Sequence, residues 1–135
     1  MFDSSFLYAL ADRNDKYRAT ALKFALTNPD IVQIVPDIVL TEVTHLLRKH
    51  VGHHAVINFL KTFPASDAQL EPLTMNDIQR ASEIMEQYGD SHFDFVDCCI
   101  MALAERLTLT QICTFDHRDF SIFKPIHCDF LELMP

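Results

Sequence analysis

The stretch from Asp90 to Phe120, DSHFDFVDCCIMALAERLTLTQICTFDHRDF, leaves the rest of the chain few choices. It reads as a loop, an amphipathic helix, a short turn, a buried strand and an acidic strand end. Val96, Cys99, Ile100, Leu103 and Leu107 recur at helical spacing, so one stripe is expected to face a core. Asp94 and Asp97 stand at the start of that helix, where unpaired N–H groups favour a carboxylate. The expected strand from Gln111 to Phe115 stops at Asp116, and Asp119 follows three residues later. Burying the stripe and the strand brings Asp97 and Asp116 towards each other. Carboxylates so placed need protons or a cation.

At 135 residues the chain is expected to form a single domain over residues 1–135. With 49% apolar residues and only two glycines it has the composition of a compact core, without a low-complexity tail. No apolar run approaches the ~20 residues of a membrane span, and the N-terminus lacks the pattern of a secretion signal. Cys98, Cys99, Cys113 and Cys128 show no C-x-x-C spacing. Buried free thiols in a reducing cytosol are therefore expected, and a cytoplasmic location with them. A formal net charge of −8 argues against a general nucleic-acid binder, which carries a basic excess. It leaves room for an enzyme that gathers acids at one metal site and meets its substrate there.

Strand and helix patterns alternate along the chain. Met1-Phe2 is a stub of strand ending at Asp3, and Ser4-Ser5 lead into a short helix over 6–11, with the serines in position to cap it. A helix over 15–28 ends at Asn28-Pro29-Asp30. Ile31–Val35 reads as a buried strand, and Pro36-Asp37 opens a helix that Gly52 ends. A second helix over 53–63 makes a hairpin with it. Residues 70–73 are a short extended piece, and Thr74 with Asp77 is a cap for a helix over 75–88. A final apolar segment, 130–133, adds an edge strand. This alternation points to an α/β sandwich around a mostly parallel sheet.

In such sheets the working crevice lies beyond the carboxyl ends of the strands. Asp3 and Asp116 are each the first acid after an apolar strand. Asp97 starts the helix that leads to one of them, and Glu42 lies in the first turns of the helix after another strand. Two bare charges at 4 Å repel by roughly 4 kcal/mol at an effective dielectric near 20. A hard, oxygen-seeking dication, Mg²⁺ or Mn²⁺, would remove that repulsion and could supply a hydroxide-like nucleophile to a phosphodiester. Acids at strand ends also cap helices and make turns, so spacing alone leaves both readings open.

Four blocks carry a family resemblance. D-S-S-F-L-Y-A-L from Asp3, V-P-D-I-V-L-T-E-V from Val35, F-D-F-V-D-C-C-I-M-A-L-A-E-R-L from Phe93 and T-F-D-H-R-D-F from Thr114 resemble, in order, the motifs of PIN domains, and most closely of VapC-type toxin ribonucleases. The resemblance implies a three-layer α/β/α sandwich and Mg²⁺- or Mn²⁺-dependent cleavage of RNA. It assigns Asp3, Glu42, Asp97 and Asp116 to catalysis and metal binding. It also implies a cognate antitoxin covering the acidic crevice, and a homodimer. Two departures stand out: only Met1-Phe2 precede the first acid, and Thr108 occupies the place where a Gly often ends the third-block helix.

Around these four, Asp94 is open to two roles, N-cap or ligand in or behind the metal shell. Asp119 is expected to cap the turn before Phe120, or to touch the site through water. Ser5 and Thr114 are expected to orient the metal-binding carboxylates. Arg118, next to Asp116, is the candidate for a contact with the substrate backbone. The competing readings are a PIN-like binding module without catalysis, a housekeeping PIN nuclease and a phosphoryl-accepting receiver module. The last lacks an acid ending its second strand and a Lys after the late one.

Overall fold

The shortest strand lies at the centre of the sheet. In the computed structural model, which describes residues 1–135, Phe2 forms a parallel bridge with Cys113. The Cys113 N–H donates to the Met1 carbonyl at 2.8 Å, and the Asp3 N–H to the Cys113 carbonyl at 3.0 Å. On its other side Phe2 donates to the Ile34 carbonyl at 2.8 Å. Strand β1 (Ile34–Pro36) pairs in parallel with β2 (Gln69–Glu71), Ile34 opposite Gln69. Strand β3 (Gln111–Cys113) pairs in parallel with β4 (Glu132–Met134), Gln111 opposite Glu132. Met1–Asp3 thus joins two ladders in the spatial order β2, β1, Met1–Asp3, β3, β4.

Seven helices flank these strands: α1 (Ser4–Ala11), α2 (Arg18–Thr27), α3 (Asp37–His50), α4 (His53–Thr62), α5 (Met75–Gln87), α6 (Phe95–Arg106) and α7 (Arg118–Ile122). Helix α1 packs on α2 and α3, α4 forms a hairpin with α3, and α5 lies along α6. The expected α/β sandwich is present. Phe6, Val35, Val39, Val43, Leu47, Ile84, Ile100, Leu103 and Ile112 are fully buried between the layers. No helix is long and apolar enough to cross a membrane.

Local chemistry sets the boundaries. Asp3 is the N-cap of α1, accepting from the Ser4 and Ser5 N–H groups, so the helix starts two residues before the expected Phe6 and the serines are not its caps. Thr74 and Asp77 form the expected capping box of α5. Strand β1 runs later than expected, because Pro36 ends it directly against α3. The closing edge strand likewise falls at Glu132–Met134 instead of 130–133.

Helix α6 departs most from the sequence reading. Every residue from Cys98 to Glu105 is buried, so the helix is enclosed on all sides and presents no single stripe. Its one buried charge, Glu105, is bonded by Arg80 through Nε at 2.7 Å and by the Ile126 N–H at 3.0 Å. Arg106 at the helix end bridges Asp77 and Glu71, each at 2.8 Å. Burial pushes the thiols of Cys98 up to about 12 and those of Cys99 and Cys113 up to about 11. They therefore stay protonated and act as small apolar side chains. The helix stops in a Schellman turn, with Leu109 N–H on the Ala104 carbonyl at 2.9 Å and Thr108 N–H on the Glu105 carbonyl at 3.2 Å. Thr108 takes the left-handed position of that turn, at φ 53°.

Candidate active site

Asp3 is the most constrained of the acids. It is 2% exposed, and its Oδ1 accepts the Ser4 N–H at 2.6 Å. Its Oδ2 accepts from Ser5 Oγ and from Thr114 Oγ1, both at 2.7 Å. Those hydroxyls are fixed in turn by the backbone after β3. The Phe115 N–H donates to Ser5 Oγ at 2.9 Å and the Asp116 N–H to Thr114 Oγ1 at 3.0 Å. One knot of hydrogen bonds therefore sets the carboxylate of the first strand and the backbone that carries Asp116. The orienting roles expected of Ser5 and Thr114 match this geometry.

Ser4 was not among the expected site residues. Its Oγ lies 3.0 Å from Asp3 Oδ1 and also bonds Glu42 Oε2, so one hydroxyl stands between the acid that ends the first strand and one on α3. The adjacent Ser-Ser was a visible signal, but helix capping explained it equally well from sequence.

Asp3, Glu42, Asp94, Asp97 and Asp116 line one cavity of about 340 Å³. Leu46 is its single apolar wall residue, and no Lys, Arg or His lines it. The four widely separated acids are thus brought together, with Asp94 as a fifth. Asp94 also caps α6, accepting the Val96 N–H at 2.9 Å, so it serves one of its two expected roles while standing where it could serve the other. Burial, followed by the charges of Asp3, Asp119, Asp94 and Asp116, pushes the Asp97 carboxyl up to about 8. Burial also raises Glu42; the Ser4 hydrogen bond opposes this, and the charges of Asp3, Asp94 and Asp116 add to it. No three of these side chains already form a closed ligand set for a metal.

Asp119 and Arg118 are bonded to each other beside the acidic crevice. Asp119 is buried, and accepts Arg118 Nε at 2.6 Å and the Asp94 N–H at 3.4 Å. Arg118 Nη2 also reaches the carbonyls of Ser91 at 3.2 Å and His92 at 3.5 Å. Arg118 therefore ties the Gly89–Ser91 turn and the start of α6 to α7, while its side chain stays 65% exposed. Both residues line a second cavity that shares Asp94, Asp97 and Asp116 with the first.

The PIN-domain family model matches residues 1–124. The chain belongs to the PIN-domain family. Among curated proteins it is 26% identical over 126 residues to Ribonuclease VapC26 of Mycobacterium tuberculosis, covering 93% of each chain. Among solved structures it resembles Mycobacterium tuberculosis VapC20, a toxin described as cleaving the sarcin-ricin loop. The TM-score is 0.82 at 24% identity, over 94% of this chain and 96% of that one. That likeness establishes the PIN fold, and the acidic cavity lies at the ends of its central strands.

Proposed function

We propose that this PIN domain is a metal-dependent endoribonuclease, the toxin of a toxin–antitoxin pair. The observation that carries the reading is the five-carboxylate cavity without a neutralising base, in a chain akin to a protein named a ribonuclease. The donor set fits Mg²⁺ or Mn²⁺. It is all oxygen, it is crowded with like charge, and it raises the proton affinity of Asp97. Asp3, Asp97 and Asp116 would hold the ion, with Glu42 supporting it or a water. A divalent ion there supplies a hydroxide-like water and offsets charge on the phosphodiester as it is attacked.

The chain's own part is positioning. Ser4, Ser5 and Thr114 hold Asp3 so that its oxygens need no reorganisation when substrate arrives. The Ser4 hydroxyl stands between Asp3 and Glu42, within hydrogen-bond reach of both. Asp116, like Asp94, is exposed to solvent at the mouth of the set, where a phosphate would approach. Asp97, set by the capped first turn of α6, forms the enclosed wall.

Incubating the purified chain with single-stranded RNA tests this. Cleavage with Mn²⁺ or Mg²⁺, lost with a chelator and lost in Asp97→Asn, is the expected result. Intact RNA under all metal conditions would remove the enzyme and leave a binding module. A small protein partner covering the crevice and a homodimer through helical surface belong to the same reading. Co-expression with any short reading frame found beside its gene, followed by a mass measurement, checks both.

A further inference from the structure

We propose that the cavity beside the acidic crevice seats one unpaired nucleobase flanking the scissile phosphate, stacked on Phe95. The inference rests on the ribonuclease reading and names the substrate subsite within it. The cavity holds about 490 Å³, within the ~300–1,000 Å³ range of small-ligand sites, and it runs into the acidic crevice through Asp94, Asp97 and Asp116. Whatever fills it is therefore joined to whatever sits among the acids. In an RNA strand, the group joined to the reacting phosphate is a nucleoside.

The walls match that occupant. Phe93 is buried and stacked on Tyr88 with ring centroids 4.8 Å apart, as a core ring is. Phe95, two residues on, is 41% exposed, lines the cavity and pairs with no other ring. A flat apolar face left open beside a phosphate-cleaving centre fits a base, and base–aromatic stacking tolerates any of the four. Arg118 lines the same cavity, and its side chain is 65% exposed although Nε is held by Asp119 and Nη2 by the Ser91 carbonyl. Nη1 makes no hydrogen bond within the protein, so a fixed guanidinium offers one free edge to a neighbouring phosphate.

The charge of the whole chain argues the same way. At −8 the protein has no long-range attraction for RNA, so affinity must come from short-range contacts. Stacking is such a contact, and it is unaffected by the surrounding acids. A base locked in a duplex presents no free face, which makes the preferred substrate single-stranded or looped.

The chain contains no Trp, so Phe95→Trp gives a single fluorophore in the subsite. Titration with a short single-stranded oligoribonucleotide should quench its emission, whereas ribose 5-phosphate, which has no base, should not. In cleavage assays Phe95→Ala should raise KM roughly tenfold with a smaller change in kcat, and Phe95→Tyr should restore it. The subsite is overturned, with the nuclease reading intact, if wild-type protein cleaves RNA, Phe95→Ala leaves KM unchanged and bound RNA leaves the Phe95→Trp emission unaltered. Quenching by a protein partner but not by RNA would overturn it as well. Wild-type protein that neither binds the oligonucleotide by anisotropy nor cleaves it overturns the nuclease reading and the subsite together. Should Phe95→Ala fail to fold, the emission of Phe95→Trp decides alone.

Discussion

Thr114 Oγ1 lies 2.7 Å from Asp3 Oδ2, although 111 positions separate the two residues along the chain. The contact is buried, and Ser5 and Ser4 complete a belt of hydroxyls around the same carboxylate. Loss of a partner that orients a metal-binding group commonly costs 10–100-fold in affinity or activity. Thr114→Val keeps the shape and removes the hydroxyl. It should lower RNA cleavage by roughly that factor and raise the Mn²⁺ concentration needed, with Thr114→Ser restoring most of both. Unchanged metal dependence in Thr114→Val would refute the orienting role.

Asp97 gives a stability effect with a definite sign. Its ordinary value is 3.8, and burial with the surrounding acids pushes it up to about 8 in the folded chain. The folded state therefore holds this proton more tightly than the unfolded state does. That contribution is complete below about pH 4 and is lost as pH rises through about 8. Metal-free protein should lose urea resistance across that window, and Asp97→Asn, which cannot ionise, should flatten the profile while abolishing cleavage. A variant whose midpoint tracks wild type at every pH would contradict this account.

Thr108 occupies a backbone region that β-branched residues avoid, at a cost of about 1–3 kcal/mol. Glycine carries no such cost but loses more freedom on folding, by about 0.5–1 kcal/mol. The balance favours Thr108→Gly by about 1 kcal/mol, read as a higher denaturation midpoint with RNA cleavage unaltered. A lower midpoint would mean that the Thr108 hydroxyl, 2.8 Å from the Leu107 carbonyl, matters more than the turn.

Arg106 joins the end of α6 to β2 and to the capping box of α5, through Glu71 and the buried Asp77. Removing one partner of a buried pair leaves a charge uncompensated. Because the Arg106 side chain is about one-third exposed, the usual 3–5 kcal/mol is reduced here to ~2 kcal/mol. Arg106→Leu should show that loss in chemical denaturation. Since Arg106 borders neither cavity, cleavage per folded molecule should persist.

What could be read from the sequence follows the length scale of each interaction. The capping box at Thr74 and the stop at Gly52 depend on neighbours within a few residues, so they were visible in the one-dimensional pattern. The acids stood out because each follows an apolar run, and the PIN resemblance put them in one pocket. Ser4 escaped because its partner Glu42 is 38 residues away, while the local explanation, a helix cap, was already sufficient. The structural ties of Arg118 were hidden for a related reason. Its proximity to Asp116 was evident, but the Ser91 and His92 carbonyls that hold it belong to a turn far back along the chain. The burial of α6 on every side was hidden because Cys and Ala fit an exposed or an enclosed face equally well.

The bond from Thr114 to Asp3 also fixes when the pocket can exist. During synthesis Asp3 precedes the Thr114 hydroxyl by 111 residues, so this bond can close only after β3 has been made. A growing polypeptide that has not yet reached Thr114 carries Asp3, Glu42 and Asp97 with only Ser4 and Ser5 to hold the first. Closure of the pocket is thus tied to the making of β3, and a chain stopped short of it holds the same acids without the site they build.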